Sequence, residues 1–479
     1  MKNNRFHKYF IISIIVFSIL YSLISLVNHY LFRTYALDLG VYTNALYDYS
    51  HLQFNDSTVF KSTPENLLAD HFDLYLIIIS PLSLIFKSYT LLIVQILMIL
   101  IGALGIYKLF SNKKIAFFSS LYFLSFFGVF SAISFDYHSN VVASCLVPWL
   151  FLYIKKEKIK TSIFFFILIL VAKENMALWT LFISIGLFLL NRKNKKIRWL
   201  TMTFAISSII YFILVIKVIM PFYSNNGNYH HFHYSYLGSN PAEAITYLIS
   251  HPVDSFKMLF INHNSSEFGD YIKLELHIFL LLAGLPLLLK KPAYFLMLIP
   301  IYFQKLFHDN FEMWGIQNQY SIEFAPILAI GLFSIIQEFQ HEKIKNTFIY
   351  LIVFLNLGCS IRLMDNTVYF SNKPKIRIYK KSHYIREYDY QRVHSAISNL
   401  PEEAIISSQS AFLPHLAYRD NIYQFPIIND AEYIILSEFE SSYPLKENEF
   451  KLKKEELLNS NQWFIEYNDD GFTILKYIQ

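Results

Sequence analysis

The sequence predicts a polytopic α-helical membrane protein carrying a small soluble α/β domain at its C-terminal end. Three observations predict it. Of the 479 residues, 54% are hydrophobic and only 16% are charged. Apolar runs recur through residues 1–365, and a run of about 20 such residues spans a bilayer. From residue 366 to residue 479 charged residues become frequent and apolar runs shrink to strand length.

Basic loops set the expected topology, because Lys and Arg collect on the cytoplasmic side. Those loops are residues 2–8, 111–114, 155–158, 191–196, 290–291 and 341–343. A span on each side of each loop gives 8–30, 89–110, 115–133, 140–154, 160–172, 176–190, 198–220, 274–289, 293–307, 321–338 and 346–364. The expectation is therefore about eleven spans in a cell (inner) membrane, with a cytoplasmic N-terminus and an extracytoplasmic C-terminal domain. The first run is read as an uncleaved span. It is long, and no small-residue cleavage site follows it. The 41 Lys and Arg against 36 Asp and Glu belong largely to these loops and do not indicate nucleic acid. Cys145 and Cys359 both fall inside apolar runs, without disulfide or metal spacing.

Two further stretches are read as helices at the outer interface. One is 72–86, broken at Pro81. The other is 38–50, where Leu39, Tyr42, Leu46 and Tyr49 share one face. Asp38 stands at the natural N-cap of the second helix. In the C-terminal part, 404–407, 432–436 and 471–476 read as strands and 386–399 and 448–459 as helices. Asp470-Gly471 reads as a hairpin turn between 462–468 and 472–478.

Polar residues gather where this topology reaches the outer face. They are Asp38, Asp70 and His71, Asp136 and His138, Lys173 and Glu174, His308, and Gln319 with Tyr320. Charge at a membrane is costly and is usually placed for function. Each has a plainer competing role. Asp38 serves as a cap, Asp70 and His71 start a helix, Asp136 and His138 are loop residues, and Lys173-Glu174 is an internal ion pair. Tyr229-His230-His231-Phe232-His233 has metal-like spacing, although a solvated loop is the simpler reading.

Asp38-Leu39-Gly40, Asp70-His71-Phe72 with Pro81-Leu82, Phe135-Asp136-Tyr137-His138 and Lys173-Glu174-Asn175 resemble a bacterial and archaeal family of predicted membrane proteins, domain-of-unknown-function family 2079. Ser410 to Pro426 resembles that family's C-terminal part. The order of first span, outer-loop Asp and amphipathic helices is similar to the GT-C superfamily of polytopic glycosyltransferases. That resemblance implies a GT-C-like domain at 1–365 and an extracytoplasmic α/β domain at 366–479. It implies a polyprenyl-phosphate-linked sugar as donor and an envelope glycan, lipid or protein as acceptor. Asp38 matches the superfamily's acidic residue, as base or metal-orienting group. Lys173, His71 and His138 would meet the donor phosphate. Asp70, Asp136 and Glu174 would hold a divalent metal, the one candidate cofactor, orient the imidazoles or bind acceptor hydroxyls. His308, Gln319 and Tyr320 would line the site. Other classes stay open: a transporter or flippase of lipid-linked cargo, or a non-catalytic envelope assembly protein. A transporter should carry internal repeats with broken spans at the midplane, and no repeat is visible.

Overall fold

The structure is a computed structural model that describes residues 2–61, 63–227, 229, 231–369 and 373–478. The chain opens with α1 (Lys2–Tyr30), α2 (Val41–Ser50), α3 (Tyr75–Phe86) and α4 (Thr90–Leu109). Then come α5 (Lys113–Leu124), α6 (Phe127–Ile133), α7 (Ser139–Lys155), α8 (Ile159–Leu170) and α9 (Met176–Leu190). Next are α10 (Lys195–Leu214), α11 (Met220–Tyr223), α12 (Pro241–Ser250), α13 (Pro252–Met258) and α14 (Ile272–Leu282). The helical part closes with α15 (Pro292–Leu296), α16 (Ile299–Leu306), α17 (Phe324–Ile336) and α18 (Glu342–Asp365).

Among the described residues, four helical stretches are long and apolar enough to cross a membrane: Arg5–Tyr30, Tyr75–Leu109, Lys195–Tyr223 and Glu342–Asp365. The α5–α6 pair, bent by 44°, makes a fifth if counted as one span. α7, α8, α9 and α17 are apolar but shorter. All eleven expected spans coincide with helix, but length and composition alone do not carry the count to eleven.

Tyr75–Leu109 makes a 35-residue helical stretch. At about 1.5 Å per residue this exceeds the roughly 30 Å hydrocarbon core. The stretch breaks at Lys87, with φ 44° and ψ −126°, and not at Pro81 as the sequence suggested. Pro81 removes the amide that would bond the Ile77 carbonyl. Ser80 Oγ donates to that carbonyl instead, at 2.9 Å, and the helix continues.

The C-terminal part begins with α19 (Tyr390–Ser398) and β1 (Ile406–Ser408), then α20 (Leu413–Leu416), β2 (Ile422–Gln424), β3 (Tyr433–Ser437), α21 (Glu447–Asn459), β4 (Trp463–Asp469) and β5 (Phe472–Tyr477). The sheet order is β2-β1-β3-β5-β4. β1 pairs in parallel with β2 and β3, while β3–β5 and β4–β5 are antiparallel. Asp470 (φ 42°) and Gly471 (φ 80°) make the hairpin turn, both in the positive-φ conformation that such two-residue turns use. The β2 edge is covered: Gln424 N donates to Val59 O at 2.8 Å, and Thr58 Oγ1 donates to Ile422 O at 3.0 Å.

The sheet and the helices share one buried core, in which Leu39, Tyr42 and Leu46 join Phe412, Leu413 and Phe472. This changes the reading of 38–50. α2 buries its expected apolar face, but Thr43, Asn44 and Asp48 are buried as well. The C-terminal segment covers that second side, and Asn44 Nδ2 donates to Arg419 O at 2.8 Å.

Candidate functional site

Asp38 does not cap α2. The helix N-cap is Gly40, without a side-chain cap bond, and Asp38 sits two residues earlier in a kinked segment with φ 66° and ψ −89°. A non-glycine residue in this region costs about 1–3 kcal/mol and persists only where its surroundings over-determine it. Here they do. Tyr35 N donates to Asp136 Oδ2 at 3.2 Å, and Ala36 N donates to Ser410 Oγ at 3.1 Å. Gly40 is pressed so closely on Leu413 that a Cβ would lie 2.6 Å from Leu413 Cδ2. The kink aims the carboxylate away from the helix, and Asp38 Oδ1 lies 3.4 Å from His138 Nε2.

His138 and Asp136 come from the turn before α7. Gln95 of α4 clamps that turn: its Nε2 donates to Asp136 O at 2.8 Å, and its Oε1 accepts from His138 N at 2.9 Å. The His138 ring stacks on Phe135 at 5.3 Å. Asp136 Oδ1 lies 3.8 Å from Lys375 Nζ, whose ammonium also sits 4.7 Å from the centre of the Tyr35 ring. Asp136 Oδ1 and His138 Nδ1 are buried without a hydrogen-bond partner.

The second group forms where the α8–α9 turn meets the segment before α3. Lys173 and Glu174 do not pair with each other; both turn to His71. Lys173 Nζ donates to His71 Nε2 at 3.2 Å, and Glu174 Oε1 lies 3.4 Å from His71 Nδ1. Glu174 Oε2 accepts from Phe72 N at 3.2 Å. Asp70 Oδ1 meets His231 Nε2 at 2.9 Å, and the His71 and His231 rings stack at 4.5 Å. Asp70, His71 and His231 each present a donor atom within 4.8 Å of the others.

The two groups form one electrostatic cluster. Burial pushes the Asp38 carboxyl up, but His138, Lys173 and His71 pull harder and hold it below its ordinary range. Burial likewise opposes ionisation of Glu174, yet His71, Lys173 and His231 bring it down to about 2. Asp70 is lowered and His231 raised: burial works against both charges, but His71 and then His231 pull Asp70 down, and the Asp70 contact lifts His231.

The remaining expected residues lie at the margins. Gln319 is buried, with its Oε1 unpartnered. Tyr320 stands close enough for the Asp38 charge to add to its raised phenol value, behind the larger effect of burial. His308 is remote from Asp38 in connectivity; its ring packs 5.5 Å from His233, which is 6.1 Å from His231. Burial and then His233 lower it to about 4. His230 lies outside the described residues. Asp136 is turned to Lys375. Sequence reasoning did not single out Lys375 or Gln95. Lys375 follows the last span in Lys373-Pro374-Lys375, which reads as a solvated basic turn, and Gln95 is one polar residue in an apolar helix.

Residues 28–474 match the model of a family described as Predicted membrane protein (DUF2079). The chain belongs to the DUF2079 family. Every polar turn of the cluster lies within the DUF2079 match, as do all five strands except the last residues of β5. No curated protein matches the chain. A DUF2079 protein is thus a predicted membrane protein, and the apolar helices described above agree with that.

Proposed function

We propose that this DUF2079 protein is a GT-C-type glycosyltransferase of the cell membrane. It would move a sugar from a polyprenyl-phosphate donor to an envelope acceptor at the outer face. The proposed frame is about eleven crossings, with Asp38 and the C-terminal domain on the extracytoplasmic side, following the basic-loop asymmetry. The observation that carries the reading is the strained Asp38 carboxylate. It is 27% exposed, faces His138 and sits in the field of Lys173 and His71.

The chemistry follows from that arrangement. An acceptor hydroxyl donates a hydrogen bond to the ionised Asp38 carboxylate. As its oxygen bonds to the sugar's anomeric carbon, the proton passes to Asp38. The bond from the anomeric carbon to the phosphate oxygen breaks, and its electron pair stays on the phosphate. A phosphate leaves readily, so no strong acid is required. Lys173 supplies the positive field that receives the charge. His138 orients Asp38, and Gln95 holds His138. The test is transfer from a polyprenyl-phosphate sugar in membranes carrying Asp38→Asn, with loss of transfer expected.

A further inference from the structure

We propose that Asp70, His71 and His231 bind a divalent transition-metal ion of the zinc class. The three donors are two imidazole nitrogens and a carboxylate oxygen, with the atoms that would bind all within 4.8 Å of one another. Two imidazoles and one carboxylate suit a borderline ion such as zinc, and three protein ligands leave a position open for water or another ligand.

A second observation is the outer partner of His71. A histidine that binds a metal through one ring nitrogen commonly gives its other N–H to a carboxylate. Glu174 Oε1 faces His71 Nδ1 at 3.4 Å, with no hydrogen bond formed between them, and Glu174 is itself held by the Phe72 amide at 3.2 Å. With the proton on Nδ1, the Nε2 lone pair of His71 faces the cluster, 3.9 Å from Asp70 Oδ2. A cation already sits against that lone pair: Lys173 Nζ donates to His71 Nε2 at 3.2 Å. That ammonium stands where the ion would bind His71. A divalent ion held by Asp70 and the two imidazoles would release Lys173 from His71. The ligands come from a turn before α3 and from the loop after α11. The ion would thus add a further tie between the long 224–271 segment and the helical body, beside contacts such as Ser235 Oγ to Asp309 Oδ1 at 2.9 Å.

The donor set is read from these side chains alone and does not depend on sugar transfer. The test uses the full-length protein in detergent, stripped with chelator and titrated calorimetrically with zinc chloride at neutral pH. Cobalt(II) chloride serves as a parallel spectroscopic probe. The expected result is saturation at one ion per chain, with ligand-field bands from bound cobalt. His231→Ala and Asp70→Asn should each weaken binding by at least about 100-fold. Glu174→Gln should weaken it by about 10–100-fold, acting through His71. Lys173→Met, which removes the competing ammonium, should tighten it. The Asp70 and His231 side chains are 53% and 26% exposed, so these variants should fold, as equal melting temperatures would confirm. Absence of saturable binding to the wild-type chain overturns the proposal. So does unchanged affinity in both His231→Ala and Asp70→Asn, which would place the ion elsewhere. A chain that binds zinc yet transfers no sugar would contradict the proposed function and leave this inference standing.

Discussion

Gly40 and Leu413 lie closer together than any larger residue at 40 permits: a Cβ there would stand 2.6 Å from Leu413 Cδ2. This contact joins the C-terminal sheet region to the turn that carries Asp38. Gly40→Ala should destabilise the protein by about 1–3 kcal/mol through overpacking. Leu413→Ala in the same chain should recover part of that loss, a coupling expected only for residues in contact. Thermal melting of the two single variants and the double variant measures it; simple additivity would mean that the two regions are not docked in this way.

The Asp136–Lys375 pair should behave as a buried ion pair. Lys375→Met leaves the Asp136 carboxyl buried and uncompensated, a loss of about 3–5 kcal/mol. Adding Asp136→Asn should restore most of it, because no charge is then stranded. If Lys375→Met melts like the wild type, Lys375 does not pair with Asp136.

Asp48 supplies a pH signature outside the candidate site. Burial pushes its carboxyl from 3.8 to about 7, against the hydrogen bond from Asn55, with Asp56 and Asp420 adding to the rise. Its Oδ1 is buried without a partner, as suits a protonated acid. Below about pH 4 both folded and unfolded chains hold the proton. Between the two values only the unfolded chain gives it up, so stability falls as pH rises and is lowest above about 7. Each pKa unit is about 1.4 kcal/mol. Asp48→Asn should therefore melt higher than the wild type at pH 8 and close to it at pH 4. Equal melting temperatures at pH 8 would show that Asp48 ionises freely in the folded chain.

Topology is open to a direct measurement. Reporter fusions at 113 and 193 should report cytoplasm, and a fusion at 400 should report the outer side. A cytoplasmic signal at 400 would remove the eleven-crossing frame and move the sheet away from the outer face.

The positions of the polar turns were legible because charge interrupts apolar runs there. Asp470-Gly471 was legible because a two-residue turn has a local signature. The contacts that organise the site were not. Asp136 meets Lys375 and Tyr35 meets Asp136 only after distant segments fold together, and nothing local in Lys373-Pro374-Lys375 distinguishes a buried lysine from a solvated one. Asp38 illustrates the limit most clearly. Its position before α2 favours a cap, but the tertiary contacts of Tyr35, Ala36 and Gly40 kink the chain and turn the carboxylate to His138. β2 escaped because three residues carry no periodicity; it exists through pairing with β1.

The central claim is that the Asp38 carboxylate accepts a proton during sugar transfer. Asp38→Asn tests it most directly. Asn tolerates positive φ nearly as well as Asp, and its amide can still face His138, so the variant should express and melt like the wild type. It lacks the negative charge and the basicity. Transfer from a polyprenyl-phosphate sugar to envelope acceptors should fall by roughly 10²-fold or more. Full transfer by a folded Asp38→Asn protein would contradict the account and leave Asp38 a structural residue of a strained turn.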